Sequence, residues 1–326
     1  MKVPRQLILE PNNSCNLRCI GCPSNGVEDR GNMDLDLFRY LVDTAVKEFP
    51  DTVIVAWGYG EPLMYPRYLE MCRYLNEKGR KWYITTNGTI WKEEVFREAF
   101  RQGSGCYQLV VSIDGMFGTG TVAKTRPGSS ENLVKENIGR IIDLHRELGS
   151  KTDLAIKICE RGQDYAEREQ FIQFWLANPE IAYVCDGKLL EGENEESMRV
   201  YPCQYFDHNF MFVRYDGTLV PCTYNPHVLN DGALCYGKMS IGDSLIEAYN
   251  NPFLVKLRDD QNRGIFRSPC DKCKISYTGM GQTGTTEFRN NPGVRYFKSG
   301  DYYNTFYSKE QRWKPNSFYG ADPKGE

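Results

Sequence analysis

The feature that most constrains this chain is a strict alternation between Gln6 and Val184. Short β-branched runs are each followed by a stretch of helical period. Strands are predicted at Gln6–Glu10, Thr52–Trp57, Trp82–Thr86, Gln108–Ile113, Leu154–Ile158 and Ile181–Val184. Between them, Asp34 is placed to N-cap a helix in which Leu37, Phe38, Leu41, Val42, Ala45 and Phe49 recur at i, i+3/i+4 spacing. Further helices are predicted at Tyr68–Lys78 with Gly79 as its stop, Lys92–Arg101, Asn132–Leu148 and Tyr165–Ala177. The near-continuous apolar run TVIVAW suits a strand covered on both faces. Consecutive units of this kind imply an α/β fold with right-handed crossovers and a parallel sheet. Spacing alone leaves two closures open, a doubly wound open sheet or a full or partial barrel.

The pattern changes near Leu189. Glu191–Ser197 is acidic and has the composition of a surface loop or linker. Hairpin signals follow, with Phe210–Arg214 and Thr218–Pro221 flanking an Asp216-Gly217 turn, then short helices near Leu245–Asn250 and Phe253–Asp259. These shifts divide the chain into residues 1–189, a small α+β domain at 190–275, and an extension at 276–326. The segment from Lys274 to Glu326 holds eleven aromatic residues. Disordered tails are aromatic-poor, so it is expected to pack on the core, as a coat rather than a substrate lid.

Composition removes several function classes. The 326 residues carry a formal charge of −3, which gives no general field for polyanions and argues against a dedicated nucleic-acid binder. Arg73, Arg80 and Lys81 read as a sparse, solvated basic face. No run approaches the roughly 20 apolar residues of a membrane helix, and the N-terminus is a poor secretory signal. The expected location is cytoplasmic, where structural disulfides are rare. The twelve cysteines therefore become the chemical question.

Cys15, Cys19 and Cys22 form C-x3-C-x2-C in the loop after the first strand. In parallel βα folds, loops at strand C-termini build the site. Three thiolates on one loop can hold three irons of a [4Fe–4S] cube, leaving the fourth open. A closed zinc site needs a fourth ligand, and His145, His208 and His227 are all remote in sequence. Later strand ends carry Gly58-Tyr59-Gly60-Glu61-Pro62, Thr86-Asn87-Gly88 and Ser112-Ile113-Asp114-Gly115. Glycines there admit close backbone approach to a ligand, and the Glu61 carboxylate could accept from an ammonium group.

On these residues the chain resembles the radical S-adenosylmethionine (radical SAM) superfamily. Cys15, Cys19 and Cys22 match its cluster motif. Tyr59-Gly60-Glu61-Pro62 resembles its Gly-Gly-Glu-Pro motif, which binds the methionine amino group, with Tyr59 where the first glycine would be. The resemblance implies a partial (β/α)6 TIM-type barrel. It also implies a cluster whose open iron chelates SAM, one-electron cleavage to a 5′-deoxyadenosyl radical, and abstraction of a substrate hydrogen. An external one-electron reductant of flavodoxin or ferredoxin type is implied as partner. By the same resemblance Thr86, Asn87, Ser112 and Asp114 are candidates for the SAM shell. Arg126 is a candidate for its carboxylate and Lys157 for its ribose or carboxylate.

Cys203, Cys222, Cys270 and Cys273, spaced by 19, 48 and 3, form a second set. From spacing, a closed iron–sulfur cube and structural zinc are equally admissible. The region is similar to the shortened SPASM domain, called twitch, of radical SAM enzymes. That likeness implies one auxiliary [4Fe–4S] cluster, the arrangement of radical SAM dehydrogenases with a twitch domain. Cys72, Cys106, Cys159 and Cys185 are expected to be core residues. Cys235 is expected to pack too, with hydrogen-atom donor or extra ligand as its alternative roles.

The resulting expectation is a radical SAM enzyme that oxidises or modifies a small molecule or peptide by dehydrogenation, crosslinking or epimerisation. The chain starts almost at its first strand. A leader-binding module is therefore not expected before it, which favours a small molecule or a peptide bound without one. The rivals are an RNA- or protein-modifying maturase and a non-enzymatic zinc or iron–sulfur protein. No acid or base is identified; Tyr205, Asp207 and His208 beside Cys203 are candidates by position alone.

Overall fold

The structure is a computed structural model and describes residues 1–159, 161–187, 210–222, 234–271, 285–288, 291–298 and 304–308. In chain order the strands are β1 (Gln6–Leu9), β2 (Val53–Val55), β3 (Trp82–Thr86), β4 (Cys106–Ser112), β5 (Asp153–Cys159), β6 (Ile181–Gly187), β7 (Phe210–Val213), β8 (Thr218–Val220), β9 (Gly237–Lys238), β10 (Thr285–Phe288), β11 (Asn291–Lys298) and β12 (Asn304–Ser308). The helices are α1 (Leu35–Glu48), α2 (Tyr68–Glu77), α3 (Glu93–Phe100), α4 (Thr121–Thr125), α5 (Glu131–Glu147), α6 (Tyr165–Ala177), α7 (Leu245–Tyr249) and α8 (Pro252–Asn262). Among the described residues the fold is mixed α/β with a parallel sheet that does not close. Among the described residues no helix is long and apolar enough to cross a membrane.

Two compact units make up the chain. One comprises Met1–Cys15, Pro23–Lys81 and Leu190–Met280. Its strands run in the order β2-β1-β7-β8-β9. β1 pairs in parallel with both β2 and β7, and the β7–β8 hairpin continues the sheet antiparallel. The hairpin turn forms as its sequence requires: Gly217 has φ +89°, and Asp216 Oδ1 accepts from the Thr218 N–H at 3.0 Å. Asp34 caps α1, accepting from the N–H groups of Asp36 and Leu37 at 2.9 and 3.0 Å. The periodic Phe38, Leu41, Val42 and Ala45 are buried beneath it. Gly79, at φ +62°, ends α2. Arg80 corrects the expected basic surface. It is buried, and its guanidinium donates to the carbonyl oxygens of Phe49, Pro50 and Thr52.

The other unit comprises Asn16–Cys22, Trp82–Leu189 and Gly281–Glu326. β3, β4, β5 and β6 are successive parallel neighbours. The far edge is extended by the C-terminal segment: β12 pairs antiparallel with β6, β11 with β12, and β10 with β11. α4 has no counterpart in the sequence reading. It is a five-residue helix entered through Gly120 at φ +76°, too short to show a period.

Candidate functional site

In the first unit, the loop leaving β1 is folded by its own polar side chains. Asn12 Oδ1 accepts from the Ser14 N–H at 2.9 Å, and Asn13 Oδ1 accepts from the Gly31 N–H at 2.9 Å. Asn12 Nδ2 donates to the Glu61 carbonyl at 3.0 Å, and the Glu61 N–H donates to the Ser14 carbonyl at 2.9 Å. The segment after β2 is thereby laced to the residues just before Cys15. This contact demands glycine. A Cβ on Gly60 would come within 2.3 Å of Asn12 Oδ1 and 2.6 Å of the Ser14 carbonyl. A Cβ on Gly58 would come within 2.5 Å of the Glu10 side chain. Tyr59, the departure from the expected glycine, turns its ring onto Phe212 of β7, at 5.8 Å between centroids. Its hydroxyl makes a long 3.4 Å contact to the Cys222 carbonyl. Glu61 is buried, and its Oε1 accepts from the Leu63 N–H at 3.1 Å, capping the 3-10 turn Pro62–Met64.

Glu10 is a site residue that sequence reasoning missed. It was visible only as a charged residue closing an apolar strand. It is fully buried, with Oε1 accepting from the Tyr59 N–H at 2.9 Å and Oε2 from the Tyr215 N–H at 3.2 Å. Arg214 Nε lies 3.9 Å from Oε2. Burial pushes the carboxyl up to about 7, against the opposing pull of those two N–H groups and of Arg214. Between the ordinary glutamate value of 4.5 and about 7, the folded protein keeps a proton that the unfolded chain releases. Stability should therefore fall as pH rises through that window and level off above it, by about 3 kcal/mol in all. Urea midpoints from pH 5 to 8, compared with Glu10→Gln, measure this. A pH-independent difference between the two proteins would show that Glu10 is ionised throughout.

In the second unit, the Arg18 N–H donates to the Pro127 carbonyl and the Ile20 N–H to the Thr125 carbonyl, both at 3.0 Å. The two segments run antiparallel, which sets Cys19 opposite Arg126. The Cys22 N–H turns back onto the Cys19 carbonyl at 3.1 Å, with Gly21 at φ +65° between them. Asn16, inside the cysteine motif, is held by the end of β3. Asn87 Nδ2 donates to Asn16 Oδ1 at 2.9 Å, and Asn16 Nδ2 donates to Thr89 Oγ1 at 2.8 Å. Thr86 is buried and its hydroxyl accepts from the Gly88 N–H at 3.2 Å. Ser112 and Lys157 are register partners on β4 and β5, each half-buried.

Asp114 and Arg126 come together in this unit as a buried ion pair. Asp114 has no exposed surface; Oδ1 accepts from the Cys159 N–H at 2.8 Å, and Oδ2 from Arg126 Nε at 2.8 Å and Arg161 Nε at 2.6 Å. Burial raises the Asp114 carboxyl, but the two guanidinium charges outweigh it and hold the group below its ordinary value. Burial likewise lowers Arg126, and the charges of Asp114 and Cys19 outweigh it, so Arg126 titrates above its ordinary value. Arg161 was not singled out in the sequence; its only signal is a cation just past a strand end.

Cys15, Cys19 and Cys22 carry thiols rather than disulfides. Among the described residues no three His, Cys, Asp or Glu side chains converge as ligands of one metal ion. The donor chemistry of the motif fits an iron–sulfur cube, in which each of three irons would take its own thiolate. Cys222 lies two residues past β8, and Cys270 is buried shortly beyond α8, its N–H donating to the Arg267 carbonyl. Cys203, Cys273, Tyr205, Asp207 and His208 lie outside the described residues. Cys72, Cys106 and Cys185 are buried, while Cys159 and Cys235 are half-buried. Burial pushes the Cys235 thiol up.

Comparison with known proteins bears on this arrangement. The family model for the radical SAM superfamily matches residues 9–173, about half of the chain. The tungsten-containing aldehyde ferredoxin oxidoreductase cofactor-modifying protein of Pyrococcus furiosus is 29% identical over 175 residues, 53% of this chain and 48% of that protein. The AdoMet-dependent heme synthase of Methanosarcina barkeri is 31% identical over 114 residues, 34% of this chain and 32% of that protein. The chain thus spans about half or less of the length of the curated relatives it matches. Among solved structures, Streptococcus suis SuiB bound to S-adenosylmethionine shares the fold with TM-score 0.62 at 16% identity, covering 86% of this chain and 73% of that one. The matched region contains the three-cysteine loop and the later strand-end segments, and the chain belongs to the radical SAM superfamily, whose enzymes use S-adenosylmethionine and a [4Fe–4S] cluster.

Proposed function

We infer that this enzyme abstracts hydrogen from a small molecule or peptide, with Cys15, Cys19 and Cys22 holding the SAM-chelating cluster. The family match across the cysteine loop and the strand ends behind it carries this reading. When bound, a cluster with one open iron supplies SAM chelation and the electron that cleaves the S–C5′ bond to a 5′-deoxyadenosyl radical. The chain's own contribution is placement. Gly58 and Gly60 let the Glu10 side chain and the Asn12–Ser14 segment pack against the backbone after β2, which fixes that backbone next to the residues that lead into Cys15. Glu61 and Pro62 fix that segment, and one Glu61 oxygen is committed to its cap. Asn87 orients the cysteine loop through Asn16, and Asp114 orients Arg126 as a carboxylate partner for SAM. Thr86, Ser112 and Lys157 complete the proposed shell.

The reading includes one auxiliary [4Fe–4S] cluster on Cys203, Cys222, Cys270 and Cys273, in a twitch-type region, which would take an electron from the substrate radical. The free thiols of Cys222, two residues past β8, and of Cys270, shortly past α8, support it by their chemistry as thiolate donors. Cys235 is half-buried and its burial pushes the thiol up, which suits the S–H bond that a hydrogen-atom donor needs. The substrate class follows the names of the relatives, a cofactor-modifying protein and a heme synthase, so a cofactor-sized molecule is favoured. A peptide is the second reading, because SuiB was solved with its precursor peptide. The electron would come from a flavodoxin or ferredoxin.

The test is anaerobic reconstitution with iron and sulfide, then incubation with SAM and a strong reductant. Formation of 5′-deoxyadenosine is expected. A protein with intact, reducible clusters that leaves SAM uncleaved would sink the assignment.

A further inference from the structure

The Asp114 centre holds more positive charge than it neutralises. Two guanidinium groups, Arg126 and Arg161, share the single carboxylate of Asp114 through the same oxygen, Oδ2. Asp114 is the one carboxylate that either pairs with among the described residues. Its other oxygen is taken by the Cys159 N–H, and its carbonyl accepts from Thr125 Oγ1 and Gln163 Nε2, both at 2.8 Å. Gln163 also fixes the Arg161 backbone, accepting its N–H at 2.6 Å. The centre is therefore rigidly built and carries one net positive charge away from water.

A buried surplus charge is costly unless an anion answers it. Among the described residues Arg161 finds no such anion beyond Asp114: its side chain is 9% exposed, and its buried Nη1 has no hydrogen-bond partner there. The backbone pairing of Arg18 and Ile20 with Pro127 and Thr125 places Cys19 directly opposite Arg126. A cube held by three thiolates is itself an anion, and it becomes more negative on reduction.

We propose that the Arg126–Asp114–Arg161 centre is the buried counter-charge of the Cys19-held cluster and sets its reduction potential, with Arg161 supplying the surplus. This rests on the cluster assignment above and adds a role for residues beyond its ligands. A nearby fixed cation stabilises the reduced state more than the oxidised one, since reduction adds negative charge in a poorly screened place.

The two sides of the centre make opposite forecasts. Arg161→Gln leaves one cation on one carboxylate, and reduction should become at least tenfold less favourable, about 59 mV for a one-electron couple. Asp114→Asn leaves two cations unanswered, and reduction should become more favourable. Arg161→Lys should stay near the wild type. The readout is an EPR-monitored potentiometric titration of the cluster whose spectrum changes on adding SAM, with no substrate present. Packing damage shifts both variants in the same direction, so opposite shifts support the proposal. Unchanged midpoints, shifts of one sign, or a loss of SAM affinity with the midpoint unmoved would overturn it. A wild-type protein that takes up no reducible cluster would instead remove the cluster assignment on which it rests.

Discussion

Cys19→Ala is expected to reduce SAM cleavage to background while the protein stays folded. Three thiolates are the minimum that the motif offers a cube, and two cannot hold three of its corners. Of the three proposed ligands, Cys19 is the one set opposite Arg126. It is buried, its neighbours Arg18 and Ile20 are hydrogen-bonded to the Thr125–Pro127 segment, and Arg126 stands opposite. These contacts are made by backbone groups, so removing one sulfur leaves them in place. Iron and sulfide content after reconstitution, the SAM-responsive EPR signal and 5′-deoxyadenosine yield should fall together. Cys72→Ala is the matched control. Cys72 has no exposed surface and sits on α2, so that change opens a small cavity and should lower stability slightly without touching iron content. Wild-type SAM cleavage by Cys19→Ala would remove Cys19 from the ligand set.

Local pattern and long-range pairing were not equally legible in the sequence. α6 lies where its pattern placed it, Tyr165–Ala177, and β3 likewise at Trp82–Thr86, because each is set by residues within a few turns of itself. The parallel pairing of β1 with β7 joins residues about 200 positions apart, Gln6 with Phe210. Nothing in the alternation of either strand names its partner. The C-terminal strands were visible only as an aromatic-rich segment expected to pack, since Thr285–Phe288 and Asn291–Lys298 carry no clean two-residue alternation. In the site, glycines and cysteines were legible because their chemistry is specific to the residue type. Glu10, Asn16 and Arg161 were not. A carboxylate, an amide and a guanidinium are ordinary on a surface, and only their partners, together with burial for Glu10, make them singular. Arg80 shows the same limit from the other side, a cation that its sequence neighbours marked as solvated and the fold wraps in carbonyls.

Asp114→Ala should cost about 3–5 kcal/mol of stability, the size expected when one partner of a buried ion pair is removed and the other charge is left behind. Here two charges are left behind. The Arg126 and Arg161 guanidinium groups would each lose the acceptor of their Nε–H, and the Cys159 N–H would lose its own. Asp114→Asn should cost less, because an amide oxygen can still accept from Cys159 while the charge is gone. Asp114→Ala combined with Arg161→Met should recover part of the loss, since it removes one orphaned cation and fills the space with an apolar side chain. The pH dependence has the opposite sign to that of Glu10. The folded Asp114 carboxyl titrates below its ordinary 3.8, so its contribution is complete above that value and is lost as pH falls through the lower folded one. Urea denaturation of the four proteins at pH 7, with the wild type followed into acid, checks the order. A Asp114→Ala protein as stable as the wild type would mean that water reaches both guanidinium groups, and the centre would then hold no buried charge for a cluster to answer.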